Sequence, residues 1–115
     1  MNEEKAKISV GRYMRAWISN NIAKMYKNSQ ITWKSQHNDK VLKELYAGLH
    51  LQEFEILGAE RAGSCAYKVA VIMKINNETV ASCVNVISET AAYKPEIDGV
   101  IGVNPISVLR YKIHQ

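Results

Sequence analysis

The chain has 115 residues, 47% of them hydrophobic and 23% charged, with a formal net charge of +4. That size and balance fit one globular domain over residues 1–115 and exclude a disordered tail, a collagen-like or coiled-coil fibre, and a two-domain enzyme. No run approaches the ~20 apolar residues of a membrane-spanning helix, and Met1-Asn2-Glu3-Glu4-Lys5 opens with acids where a signal peptide carries bases. A cytoplasmic protein without membrane contact is expected.

The first third reads as helix. Val10, Tyr13, Met14, Trp17 and Ile18 make one stripe at helical period, with Arg12, Arg15, Ser19 and Asn20 facing elsewhere. Ser19-Asn20-Asn21 supplies the short polar side chains that satisfy the first amides of a new helix, expected over Ile22 to Lys27. Ile31-Thr32-Trp33 fits an extended segment and a helix equally well. Asn38 or Asp39 caps a further helix carrying Val41, Leu42, Leu45, Tyr46 and Leu49, its last turn weakened by Gly48.

After His50 the apolar rhythm changes from helical spacing to strict alternation. Gln52 to Leu57 suits a half-buried strand, and Gly58 to Gly63 a connection or bulge. Tyr67, Val69, Val71, Met73 and Ile75 share one face of a second strand. Asn76-Asn77 reads as a tight hairpin turn, because asparagine tolerates left-handed backbone. The return strand, Glu78 to Glu89, sets Val80, Ser82, Val84 and Val86 on one face and Thr79, Ala81, Cys83, Asn85 and Ile87 on the other. Ala91 to Gly102 reads as a loop, and Ile106 to Ile113 as a last strand started by Pro105. The expected class is α+β, with N-terminal helices packed in the concave face of a curved four-strand antiparallel sheet, a cone-like roll. Cys65 and Cys83 lie in apolar strand-like runs and are expected as buried reduced thiols; two cysteines so spaced make no metal motif.

Residues 1–50 carry nine Lys/Arg against four Asp/Glu, and residues 51–115 six against seven. The positive excess therefore lies on the helices. The basic residues are spread over several turns without interleaved aromatics, so a solvated polar face is expected and nucleic-acid binding is the weaker reading.

Several stretches resemble the nuclear transport factor 2-like superfamily, the cystatin-like α+β roll. They are Tyr13-Met14-Arg15-Ala16-Trp17, Ile22-Ala23-Lys24-Met25-Tyr26 and Thr32-Trp33 in the helical part. In the sheet they are Tyr67-Lys68-Val69-Ala70-Val71, Asn85-Val86-Ile87-Ser88-Glu89 and Gly102-Val103-Asn104-Pro105-Ile106. The resemblance runs across nearly the whole chain and implies a roll that often pairs into homodimers through the outer face of its sheet. The fold hosts ketosteroid isomerases, polyketide cyclases, transport adaptors and secretion-system assembly domains, so the resemblance implies no single activity.

An isomerase-like site needs a carboxylate base and a hydrogen-bond donor in an apolar cavity. Asp39 and Tyr13 are the nearest candidates, yet Asp39 stands where a helix cap is wanted and Tyr13 beside Trp17 is a packed aromatic. A cyclase-like site needs a His–Asp pair; His37 stands two residues from Asp39, while His50 and His114 occupy element ends. Tyr13, His37 and Asp39 are thus the catalytic candidates of an enzyme reading, with no cofactor implied. Tyr13, Trp17, Trp33 and Tyr93 are the candidates for lining an apolar ligand pocket. Asn85, Glu89 and Arg110 are the candidates for a dimer interface, with Arg110 pairing Glu89. The leading expectation is a non-catalytic binding or assembly module that homodimerises through its sheet and holds a small apolar ligand in its cone. A ketosteroid isomerase or polyketide cyclase-like enzyme and a nucleic-acid accessory protein are the alternatives.

Overall fold

The structure, a computed structural model, describes residues 1–114, with side chains described as far as Tyr111. Four helices precede the sheet: α1 (Glu3–Ile18), α2 (Ile22–Lys27), α3 (Ile31–Gln36) and α4 (Asp39–Leu45). The strands are β1 (Leu51–Gly63), β2 (Ala66–Ile75), β3 (Glu78–Ala91), β4 (Lys94–Pro95) and β5 (Val100–Val103); α5 (Pro105–Val108) and a 3-10 turn (Leu109–His114) follow. The expected α+β class is therefore found, with helices leading and an open antiparallel sheet behind them.

Asparagines begin three of the leading helices. The side chains of Asn2, Asn21 and Asn38 each accept a hydrogen bond from the backbone N–H three residues on, closing one of the otherwise unpaired amides of the first turn. Asp39 then stands in the first turn of α4, where a negative charge complements the helix dipole. The last helical stretch is shorter than its apolar pattern: α4 stops at Leu45, and Gly48 takes a left-handed φ of 76°. The carbonyls released beyond it are taken by side chains, Gly48 O by Asn76 Nδ2 at 2.9 Å and Leu49 O by Trp17 Nε1 at 3.0 Å.

The sheet runs β1-β2-β3, all antiparallel, with β4 and β5 both on the far edge of β3. Asn76 and Asn77 turn the long hairpin at φ 50° and 68°, both left-handed, as a tight two-residue turn requires. The inward row Val69, Val71, Met73 and Ile75 meets Val84 and Val86 across the pair, and onto these α1 lays Ala6, Val10, Tyr13, Met14 and Trp17. β1 continues through the glycines at 58 and 63, with register shifts between Ile56 and Gly58 and between Arg61 and Gly63. Those bulges let a long strand curl around the helix.

Two parts of the expected sheet are corrected. The segment Ala91–Gly102 is no plain loop, since Val100–Val103 pairs with Val86–Glu89. The expected strand Ile106–Ile113 is helical instead. Its β-branched alternation imitates a strand, but Asn104 accepts from the Ile106 and Ser107 amides and Pro105 holds the first helical position, which together start a helix. α5 then covers the edge of β3 that β5 leaves open: Asn104 N–H donates to Asn85 O, and the Ser107 hydroxyl accepts from Asn85 N–H, both at 2.9 Å. Covering an unpaired edge in this way removes a template for intermolecular pairing.

β5 is also tied to the helices. Gln30 N–H donates to Val103 O at 2.8 Å and Val103 N–H to Asn28 O at 2.9 Å, so the α2–α3 connection joins the sheet backbone to backbone. A Cβ at Gly102 would stand 2.6 Å from Gln30 Cα, with no flexible side chain to yield. Gly102→Ala is expected to destabilise by about 1–3 kcal/mol, the usual range for forced overpacking. At Gly58, where a Cβ meets nothing within 4 Å, the same change should stay within about 0.5 kcal/mol. Urea unfolding of the two variants measures the difference.

Candidate functional site

The residues proposed for one apolar pocket fall into two clusters and the surface. Tyr13 and Trp17 belong to the core between α1 and the sheet, where Trp17 meets Tyr46 edge-on at 4.9 Å and Tyr13 meets it at 6.3 Å. Trp33 lies elsewhere, stacked on His37 at 4.6 Å and edge-on to Tyr26 at 6.3 Å; its Nε1–H has no partner among the described residues. Tyr93 is exposed, at a left-handed φ of 61°, with its hydroxyl bonded to Gln36. The interior that these aromatics were expected to line is filled by Val10, Tyr13, Met14, Leu42, Val69, Val71 and Met73, all buried. Helical and pleated spacing predicts which residues turn inward; whether they leave a void depends on how closely the layers approach.

The catalytic candidates separate in the same way. Tyr13 donates its hydroxyl proton to Tyr46 Oη at 2.9 Å, and Tyr46 donates in turn to Pro105 O at 2.9 Å. This relay satisfies two buried phenols and one carbonyl and ends on backbone, so it links α1, α4 and α5. His37 Nδ1 lies 3.0 Å from Trp33 O, and its own carbonyl accepts from Tyr26 Oη at 2.8 Å. Asp39 is exposed on α4. His50 is exposed on the turn before β1, and the His114 side chain lies outside the described residues. No acid–base pair is assembled from Tyr13, His37 and Asp39: the first is sealed in the core, the second is stacked on an indole, and the third faces water.

Glu89 corrects the interface expectation. Strand alternation groups it with Asn85, yet it is 2% exposed: its carboxylate accepts from the Thr32 amide at 3.1 Å and from the Thr32 hydroxyl. Gln30 gives α3 no side-chain cap, and Glu89 supplies one from the sheet. A carboxylate so buried needs such partners, so the expected Arg110–Glu89 pair does not form. Arg110 instead lies on the 3-10 turn after α5, exposed, and only Asn85 of the other two shares its surroundings.

The shared surroundings are a groove of about 350 Å³ on the outer face of the sheet. Its floor carries Ala70, Ala81 and Cys83, and its walls Leu57 on one side and Arg110 and Tyr111 on the other. Cys83 is exposed there, contrary to the buried thiol expected, because it projects from the outward row of β3; neither cysteine is bridged. Leu57 is 56% exposed. A second concavity, about 630 Å³, lies between α1 and α2 and is lined by Arg12, Arg15, Lys24 and Lys27 among polar neighbours. Sequence reasoning missed it, since those cations lie on two separate helices and converge only when α2 folds back beside α1.

Among the described residues no three His, Cys, Asp or Glu side chains converge as metal ligands, and no helix is long and apolar enough to cross a membrane. Compared with known proteins, the chain matches no family model, no curated protein and no solved structure.

The tyrosine relay yields two expectations. Tyr46→Phe leaves the Tyr13 hydroxyl and Pro105 O without their partner, so it should cost about 1–3 kcal/mol and exceed Tyr13→Phe, which removes one donor only. Burial, above all, drives both phenols well above their ordinary 10.0. Below pH 10 both are neutral in the folded and unfolded chain, and their contribution to stability is complete. Above it the unfolded chain ionises first, so stability falls as pH rises toward the folded values. Urea unfolding from pH 8 to 11 should show this decline, and the double variant Tyr13→Phe/Tyr46→Phe should lose the part of it these two groups cause.

Proposed function

We propose that the protein is a non-catalytic assembly module of the nuclear transport factor 2-like kind that homodimerises through the outer face of its sheet. The observation carrying this reading is the groove bounded by Leu57, Arg110 and Tyr111, floored by small side chains. Ala70 stands opposite Cys83 and Ile72 opposite Ala81, so the centre of the outer face is low and apolar and admits a second sheet closely. Charges of both signs border it. Glu53 and Glu55 lie on β1, and Lys68, Lys74 and Arg110 on β2 and beyond. A two-fold contact brings the same patch of both copies together, so a patch carrying both signs can complement itself. A stable pair needs roughly 800 Å² per partner.

The reading draws support from where the interior polar groups are spent as well. The tyrosine relay, His37 and Glu89 each satisfy backbone or one another, which accounts for them as structural groups and gives the enzyme alternative no assembled base. A ligand in the cone has the same difficulty, since the candidate aromatics are packed against their neighbours.

Sedimentation across a concentration series decides the matter. The wild type is expected as a dimer at micromolar concentration. Ala81→Arg and Cys83→Arg, which place charge on the floor of the patch, should shift it to monomer without lowering the melting temperature by more than a few degrees. A wild type that stays monomeric at 100-fold higher concentration sinks the proposal.

A further inference from the structure

We propose that the groove between α1 and α2 binds the diphosphate or longer polyphosphate group of a small ester, whose apolar body lies on an adjoining shelf. Lys5, Ile8, Arg12, Arg15 and Ser19 follow one another at alternating steps of three and four along α1 and so share one face of it. Arg12 and Arg15 line the concavity of about 630 Å³ from that side, and Lys24 and Lys27 of α2 line it from the other. An adjacent concavity of about 490 Å³ shares Arg12, Lys27 and Asn28 with the first and extends it past Lys5 to Ile8, Val100 and Ile101.

Five cations thus border one continuous depression whose lining includes no carboxylate. Among the described residues the sole ion pair is Lys7–Glu3, which is not part of it. The groove's cations therefore have no carboxylate partner within ion-pair distance among the described residues. Guanidinium forks match phosphate oxygens in pairs, and clustered lysines add charge without demanding geometry. Two or more linked phosphates are the compact anion that engages both helices at once.

Size and lining separate this ligand from a polymer. The volume falls in the range of small-molecule sites, and no aromatic side chain lines the depression, so bases have no stacking platform. Val100 and Ile8 are 63% and 42% exposed at its far end, an apolar shelf next to a cationic trough. An amphiphilic phosphate ester fits that pairing better than a bare inorganic ion. The groove has no residue in common with the outer face of the sheet, so this inference stands apart from the dimer reading.

Isothermal titration with pyrophosphate, tripolyphosphate and geranyl diphosphate tests the assignment. All three should bind saturably at one site per chain, geranyl diphosphate at least about fivefold tighter than pyrophosphate because the shelf removes apolar surface from water. Arg12→Gln/Lys27→Gln, at the junction of the two concavities, should weaken binding at least about tenfold, the scale set by losing charge-assisted hydrogen bonds. Lys40→Gln/Lys43→Gln lowers the net charge equally from exposed sites on α4 and should change affinity less than about twofold. Val100→Asp should abolish the advantage of geranyl diphosphate. Equal losses in the two double variants, or no saturable binding to the wild type, overturn the site; equal affinity for geranyl diphosphate and pyrophosphate overturns the shelf. Tighter binding of an oligothymidylate than of tripolyphosphate overturns the small ligand in favour of a nucleic-acid surface. Capture by phosphatidic acid vesicles without binding of soluble diphosphates overturns it in favour of membrane docking.

Discussion

The seating of α1 against the inward face of the sheet, β1 through β3, is the constraint from which the remaining structure follows. Val10, Tyr13, Met14 and Trp17 present one helical stripe, and Val69, Val71, Met73, Val84 and Val86 present a pleated row, all buried between the two layers. The sheet must curl to cover a helix of 16 residues, and the bulges of β1 supply that curvature. Once the layers are in contact their separation is fixed by side-chain volume, because protein interiors pack at nearly crystalline density. A cone lined this way closes.

That closure decides the fate of the polar groups trapped around it. Water has little access there, so buried donors and acceptors take partners from the chain, the Trp33 indole N–H excepted. Tyr13 reaches Tyr46, Tyr46 reaches Pro105, and Glu89 reaches the unpaired start of α3. Each of these bonds joins elements distant in sequence, 33, 59 and 57 residues apart. The groups that look like chemistry in the sequence are the ties between helices and sheet. Their residue types are those of active sites because hydrogen bonding in a dry interior makes the same demands on both.

Two concavities that lie outside the core differ in character. One rests on small side chains of the outer sheet face, the other between cations of α1 and α2. Binding proteins commonly keep a rigid core and place recognition on such surfaces, where a side chain is not already committed to packing. Here five of the nine Lys/Arg residues of the first 50 border one depression, so part of a charge distribution that is diffuse along the chain becomes local in space.

Read alone, the residues determined the class of the protein and most of its elements. The amphipathic stripe of α1, the limits of α2, a cap at Asn38 or Asp39, the Asn76-Asn77 turn and the inward rows of β2 and β3 all rest on interactions within a few residues, where periodicity and capping chemistry act. Asn104-Pro105 carried the same kind of local signal for a helix, but the alternation of Ile106 and Val108 masked it. Tertiary structure alone decided that Glu89 caps α3, that Arg110 stands clear of it, that Cys83 is exposed, and that Tyr13, His37 and Asp39 occupy separate surroundings. It also decided that Arg12, Arg15, Lys24 and Lys27 surround one groove. The reason is physical: local spacing fixes which way a side chain points from its own element, whereas the neighbour it meets depends on how elements remote in the chain pack together.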